Sequence, residues 1–379
     1  MLPSVGHLAQ PYIRLPRRRL TLGAKKWPNP IPNLPLEKTS FGPMSITIPL
    51  IRGFALFPAL SWFARHGVPV EDALRRADLP QDLPSCPYRP VPLVLVASLL
   101  RTAAYEAGPD LPCRIVFEAD NLELAFLGKV ALGSETPREA LAHIIPALPF
   151  YCSHEQVSVE RKGNTTIVRE FFSHRFDAAT NHFLLQYAAA MVHRICGLDG
   201  RARLRFARIE LPPHPEFGLK HLGQWFGAGL VETRSNGFSI TVDNQMMDRR
   251  FNSVARPRTQ GRPLLEQSPL RGDGSLSGSV RNFLVSMIEC GQTPSIERLS
   301  AVAGISVRRF QRQLASEATS YSRLLAEVRH DEAQRRLHET DFTIAAIAAE
   351  LGYSDQASLT RAFRRWTGRP PTHHRVQQS

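Results

Sequence analysis

A short pattern occurs twice near the end of the chain, and nothing else in the sequence restricts the fold as tightly. From Ser295 the text reads SIERLSAVAGISVRRFQRQL, and from Thr343 it reads TIAAIAAELGYSDQASLTRAF. Leu299 aligns with Ile347, Ala303 with Leu351, Gly304 with Gly352 and Ser306 with Ser354, each pair 48 positions apart. One extra residue in the second copy then sets Phe310 against Leu359, Gln311 against Thr360 and Arg312 against Arg361.

Each copy encodes a short apolar-periodic helix that stops at a glycine, a residue free to take the left-handed backbone of a sharp turn. A second helix then opens at an N-cap, Ser306 in the first copy and Ser354 or Asp355 in the second. Helix, tight glycine turn, helix is the helix-turn-helix motif. One copy would suit any αα-hairpin; two in register, with arginine at the matching place in each second helix, point to DNA. Between the copies, Tyr321–Glu339 keeps helical spacing through Leu324, Leu325, Val328, Ala333 and Leu337, with no breaker. A helix of that length spans about 28 Å at ~1.5 Å per residue. Recognition helices about 34 Å apart enter successive major grooves, and a rod of this length plus its flanking turns is compatible with that spacing.

On these residues, 281–375 resemble the DNA-binding domain of the AraC/XylS family of bacterial transcription regulators. The likeness is most specific along IAAELGYSDQASLTRAFRRWTGRPP. Leu359 stands where that family often has Phe, and His373 and His374 replace a more usual polar–Tyr pair before Arg375. The resemblance implies an all-α domain with two helix-turn-helix motifs joined by a linker helix. Its implied partners are double-stranded promoter DNA and RNA polymerase, and activation is the commoner mode. More loosely, LGSETPREALAHI and NHFLLQYAAAMVHRICG are similar to the non-cupin, "arabinose-binding" type of N-terminal sensor and dimerisation domain. That implies an unidentified small-molecule effector and a homodimer, and no particular sugar.

The side chains fit this reading. An arginine fork matches guanine O6 and N7 in the major groove, and glutamine matches adenine N6 and N7. Arg308, Arg309, Arg312, Gln356 and Arg361 are therefore the expected base-reading residues. Ser306, Ser354, Thr360, Arg364 and Arg365 are the expected phosphate contacts, which fix register without reading sequence. Phe310, Leu314, Leu359 and Phe363 are expected in the core.

Charge is distributed accordingly. Residues 45–248 carry 20 Lys/Arg against 21 acids, while 249–379 carry 20 against 12, a basic end that suits a polyanion. Five scattered cysteines without a CxxC or Cys/His cluster suggest a reducing compartment and no metal site. No signal peptide and no apolar run of membrane length is visible, so a cytoplasmic protein without a membrane partner is expected. Phosphate loops, nucleophile elbows and metal motifs are lacking, so no enzyme and no cofactor is expected. His154, His174, His182 and His193 fall on separate elements. Phe54, Phe57, Trp62, Phe126, Phe150 and Tyr151 read as core, and no effector contact is assigned.

Along the chain, residues 1–43 hold eight prolines among basic residues without periodicity, and an extension lacking structure is expected. It is either a basic arm or a stretch preceding a natural start at Met44. Residues 44–248 form the expected effector-binding and dimerisation domain, of α+β class. Its elements include a long helix from Pro90, a strand at Cys113–Phe117, a helix after Ser134 or Thr136 and a hairpin turning at Gly163–Asn164. An amphipathic helix follows from Asn181, and the last pair of strands, LVETR and FSITV, is joined by Ser235–Gly237. Residues 249–280 are the linker, partly a connector helix or hinge, and 281–379 the DNA-binding domain, opening with a helix over Val280–Cys290. Two other readings remain: a non-specific architectural DNA-binding protein, and an enzyme fused to a DNA-binding module.

Overall fold

The computed structural model describes residues 46–121, 123–174, 176–197, 206–251 and 268–376. The expectations for residues 1–43 and for the body of the linker, 252–267, lie outside them.

The first domain is α+β. Strand β1 (Leu50–Arg52) runs antiparallel to β2 (Pro90–Pro92), with Ile51 opposite Val91. Helices α1 (Phe57–Arg65) and α2 (Val70–Arg76) lie between them. After β2 come α3 (Leu93–Ala107), α4 (Leu111–Glu118), α5 (Ala125–Leu132) and α6 (Pro137–Tyr151). Thr136 caps α6 by accepting the Glu139 N–H at 3.2 Å. Strands β3 (Glu155–Lys162) and β4 (Thr165–Phe172) form the expected hairpin, with Gly163 at a φ of 56°. Helix α7 (Ala178–Cys196), buried along most of its length, packs against α3 and α4. Strands β5 (Arg208–Leu211), β6 (Leu230–Glu232) and β7 (Gly237–Asp243) join β3 and β4 in a sheet ordered β3-β4-β7-β5-β6. Two short helices, α8 (Gly223–Phe226) and α9 (Asn244–Met247), flank the last strands.

Four expectations change here. Cys113–Phe117 is helical, within α4, not a strand. Pro112 sits in the first helical turn, where its missing N–H is not needed, and Cys113, Ile115 and Val116 are buried at helical spacing. The last two strands do not pair with each other: β7 inserts between β4 and β5, and β6 adds parallel to β5. Residues 90–92 form a strand, so α3 starts at Leu93. The first helix of the second domain starts at Leu276, ahead of Val280, because Ser275 supplies its N-cap.

The second domain is all-α. Helix α10 (Leu276–Glu289) precedes the first motif, α11 (Ile296–Val302) and α12 (Val307–Ser316). The rod α13 (Tyr321–Glu339) leads to the second motif, α14 (Ile344–Glu350) and α15 (Gln356–Thr367), and then to α16 (Pro371–Val376). The turn glycines Gly304 and Gly352 take φ of 67° and 72°, in the left-handed region their motif requires. Each helix from α10 to α15 has a hydroxyl or carboxylate N-cap that accepts the N–H three residues on: Ser275, Ser295, Ser306, Ser320, Thr343 and Asp355. Such caps contribute about 1 kcal/mol each. In the second motif the cap is Asp355; the Ser354 hydroxyl instead donates to the Asp355 carboxylate at 3.1 Å.

The two domains share a core. Ile48 and Leu50, at the start of the first domain, are fully buried among Val280, Leu284 and Met287 of α10. The Ile48 N–H donates to Ser279 Oγ at 3.0 Å, and Ser286 Oγ donates to the Pro90 carbonyl at 2.6 Å. Arg52, 5% exposed, donates to the carbonyls of Phe150, Tyr88 and Ser268. Burial lowers its pKa to about 10 against the opposing pull of Glu289, so it remains a cation at neutral pH.

Candidate nucleic-acid interface and sensor cavity

In α12, Phe310 and Leu314 are fully buried, whereas Arg308, Arg309, Gln311 and Arg312 are exposed. At ~3.6 residues per turn, Arg312 lies diametrically opposite the Phe310–Leu314 seam, with Arg308 beside it. In α15 the buried pair is Leu359 and Phe363, and the same geometry puts Arg361 diametrically opposite. The two arginines thus project from equivalent points of two equivalent helices. Among the described residues no hydrogen bond or ion pair engages the guanidinium groups of Arg308, Arg309 and Arg312. Arg361 donates to Ser358 Oγ at 2.9 Å.

The remaining expected contacts divide in two. Gln356, Arg364 and Arg365 are exposed, as are Ser306 and Ser354. Thr360 is only partly exposed, and its hydroxyl donates to the Gln356 carbonyl at 2.9 Å. The Ser306 oxygen already accepts the Arg309 N–H at 3.3 Å, which leaves its own proton to donate. The hydrogen bonds from Ser358 hold the Asp355 carboxyl below the usual range, so this cap stays ionised.

The rod carries contacts to both motifs. Tyr321 Oη donates to the Pro294 carbonyl at 2.9 Å, ahead of α11. Arg329 donates to the Gly352 carbonyl at 3.2 Å and lies over the Tyr353 ring, 4.8 Å from its centroid. Buried Arg336 pairs with Glu350 of α14, and Arg335 bridges Glu332 and Glu289 of α10. Glu317, just past α12, accepts the Leu276 and Ser277 N–H groups at 3.0 and 2.8 Å. Sequence reasoning did not single out these braces; only the helical spacing that brings Arg329, Arg335 and Arg336 round the rod was visible.

The first domain holds a largely apolar cavity, the kind of concave site that small molecules occupy. Leu100 of α3, Ile144 and Leu148 of α6, and Leu184, Met191 and Ile195 of α7 line it. The opposite wall is the β3–β4 hairpin, which contributes Glu155 and Glu170. Glu155 opposes Phe172 and Val157 opposes Glu170, so the two carboxyl groups are diagonal neighbours on one face. Burial raises Glu155 to about 7 and holds Glu170, further pushed by Glu155, well above the carboxylate range. His154, also in the wall, is lowered by burial to about 3 and is neutral. Donor atoms of Cys152, His154 and Glu155 lie within 4.8 Å of one another and could hold a metal ion, a grouping not expected from sequence. Of the six aromatic residues read as core, Tyr151 alone lines the cavity, in edge contact with Phe54 at 5.2 Å. Against the expectation of separate elements, His182 and His193 both lie on α7; His182 meets His214 and His221, at ring distances of 5.4 and 5.2 Å.

The cavity wall also clasps the segment leading to α10. The Leu270 and Arg271 N–H groups donate to the Pro149 carbonyl in α6, at 2.7 and 3.2 Å. The Arg271 guanidinium donates to the Glu155 carbonyl.

This two-part layout agrees with the matches to protein families. Residues 67–251 match the "Arabinose-binding domain of AraC transcription regulator, N-term", and residues 299–377 match a "Helix-turn-helix domain". The chain belongs to the AraC family of transcription regulators. The chain is similar to the HTH-type transcriptional regulator VirS of Mycobacterium tuberculosis, 28% identical over 191 residues, covering 50% of this chain and 54% of VirS. The ornithine utilization regulator of Pseudomonas aeruginosa is 35% identical over 85 residues, 22% of this chain and 25% of that protein. The chain thus spans about half the length of VirS and a quarter of the second relative. The crystal structure of the transcriptional regulator CdpR of P. aeruginosa aligns over 85% of this chain and 98% of its own, at 20% identity and a TM-score of 0.38. Both parts of the expected AraC-type fold, the α+β domain and the all-α domain with two helix-turn-helix motifs, are present. The family is one of transcription regulators rather than enzymes. No described helix is long and apolar enough to cross a membrane.

Proposed function

We propose that this protein is a sequence-specific, effector-responsive activator that reads two adjacent major-groove segments of promoter DNA. The reading rests on one observation: Arg312 and Arg361 project from equivalent positions, opposite the buried seams of α12 and α15, on two motifs braced to one rod. In this assignment Arg308, Arg309, Arg312, Gln356 and Arg361 read bases, while Ser306, Ser354, Thr360, Arg364 and Arg365 hold phosphates. Residues 44–248 bind the effector and form the homodimer, 249–280 link, and 281–379 engage DNA and recruit RNA polymerase in the cytoplasm.

The experiment is a gel-shift titration at fixed salt, using the upstream region of the protein's own gene and a scrambled duplex. Arg312→Ala should reduce the preference for the site over the scramble by roughly 5- to 150-fold, the equivalent of ~1–3 kcal/mol for one base-reading arginine. Arg364→Ala should weaken both duplexes alike and flatten the salt dependence. A wild-type preference near one leaves an architectural DNA-binding protein and refutes this reading.

A further inference from the structure

The β3–β4 wall of the sensor cavity presents an unusual combination. Glu170 is 4% exposed, lines the cavity, and its Oε1 has no hydrogen-bond partner among the described residues. Glu155, diagonal to it, has the Cys152 thiol and the neutral His154 ring as near neighbours, His154 Nε2 lying 3.5 Å away. Among the described residues Arg271 is the cation that acts on Glu155; it donates to the Glu155 main-chain carbonyl, and no contact joins it to Glu170. Everything facing the two carboxyls from α3, α6 and α7 is aliphatic apart from Tyr151 and Tyr187. Tyr187 Oη already donates to the Ala55 carbonyl at 3.3 Å. A carboxyl desolvated without a partner destabilises the fold, and an aliphatic side chain would fill the same space without that cost. The chemistry of this wall suits a guest that supplies what Glu170 Oε1 lacks, a charged N–H donor.

We propose that the cavity binds an organic cation, an amine or similar group on an apolar body, with its charged head on Glu170 and Glu155 and its body among the α3, α6 and α7 side chains. This deepens the effector-responsive reading above and rests on it. Head and body have separate places: among the described lining residues the hairpin alone supplies carboxyls, and Leu100, Ile144, Leu184 and Met191 offer apolar surface opposite. The site is also joined to the DNA-binding domain. A head drawn to Glu155 bears on β3 at the residue whose carbonyl Arg271 holds, and a body against Leu148 bears on α6 beside Pro149, which holds Leu270 and Arg271. Occupancy therefore reaches the 268–271 segment, and with it α10, from both sides.

The test uses full-length protein and three probes with one body and different heads: 4-phenylbutylamine, 4-phenylbutan-1-ol and 4-phenylbutyrate. Each is titrated by isothermal calorimetry into wild type and Glu170→Gln, with folding of both checked by circular dichroism. The amine should bind wild type about tenfold or more tighter than the alcohol, as charge-assisted hydrogen bonds require, and the acid should bind most weakly. In Glu170→Gln the amine should lose that advantage while the alcohol is unchanged. Equal or tighter binding of the alcohol or the acid overturns the proposal, as does failure of all three to bind. Zinc ion alone is titrated as well, because Cys152, His154 and Glu155 converge. Saturable zinc binding that excludes the amine overturns the organic-cation assignment. Loss of site preference in the gel-shift series refutes the regulator reading without moving these affinities, so the two failures are distinguishable.

Discussion

Replacing Gly352 with alanine tests the turn on which the second reading helix depends. Its φ of 72° is left-handed, which costs an alanine about 1–2 kcal/mol. A Cβ there would also lie 3.2 Å from Arg329 Nη2, the atom that donates to the Gly352 carbonyl. Arg329 must then retreat, with loss of a bond worth about 0.5–1.5 kcal/mol. The sum is about 1.5–3.5 kcal/mol, or roughly 10- to 300-fold faster amide exchange in α14 and α15, at tenfold per ~1.4 kcal/mol. Gly368→Ala is the control: its φ is 75° and a Cβ there meets nothing within 4 Å. It should give only the backbone share, about 5- to 30-fold. Hydrogen exchange read by mass spectrometry on peptides covering α14–α16 measures both. Equal effects would refute the Arg329 brace, and no effect from either would refute the backbone argument.

Two further perturbations address the first motif and the cavity. Glu317→Ala removes the acceptor for two N–H groups at the start of α10; with Ser275 still capping, the loss should be about 1–2 kcal/mol, read as faster exchange confined to α10. Unchanged α10 exchange would exclude Glu317 as a cap. The cavity carboxyls should make stability fall as pH rises, the reverse of ordinary acid sensitivity. Both have folded-state pKa values above those of the unfolded chain, so their contribution is complete below about pH 4.3 and is lost as pH climbs through the folded values, about 7 for Glu155 and higher for Glu170. Around them stand Tyr151, Tyr187, Cys152, neutral His154 and Arg271, none of which changes that sign. Glu170→Gln should flatten the decline in melting temperature between about pH 5 and 8; parallel curves for variant and wild type would refute the assignment.

The DNA-reading half was legible because its signals are local. A glycine at positive φ, a capping hydroxyl three residues ahead of its N–H partner and a 3.6-residue period all fall within one short window. Cys113–Phe117 had no such signal. Four apolar residues interrupted by Arg114 read equally as strand or helix, and packing against α7 decides the matter. Insertion of β7 between β4 and β5 depends on partners more than 20 residues away, so adjacency in sequence suggested the wrong pair. The cavity carboxyls left a trace that could have been followed. Glu155 shares strand parity with Val157 and Val159, and Glu170 with Val168 and Phe172, so both point inward if the valines do. Parity puts Phe171 on the other face, and it is 41% exposed.

The shared core at the junction alters what a signal between the domains must do. A basic, glycine- and proline-rich linker suggests two bodies tethered by a hinge, free to reorient. Ile48 and Leu50 contradict free reorientation in this state, for they are completely buried against α10 and would be exposed by any swing of the DNA-binding domain. Arg52 adds a second constraint, since a guanidinium held by three carbonyls and no carboxylate is stranded if any of those carbonyls moves away. Docking is therefore one discrete state, and an effector can displace it only by binding docked and undocked forms with different affinity. The cavity has the means to discriminate, because α6 and β3 supply both its wall and the carbonyls that hold Leu270 and Arg271. A ligand that spreads α6 from β3 favours release, and one that draws them together favours docking. The docking equilibrium can thus be biased from the Leu148–Glu155 end of the cavity, away from the DNA-binding residues.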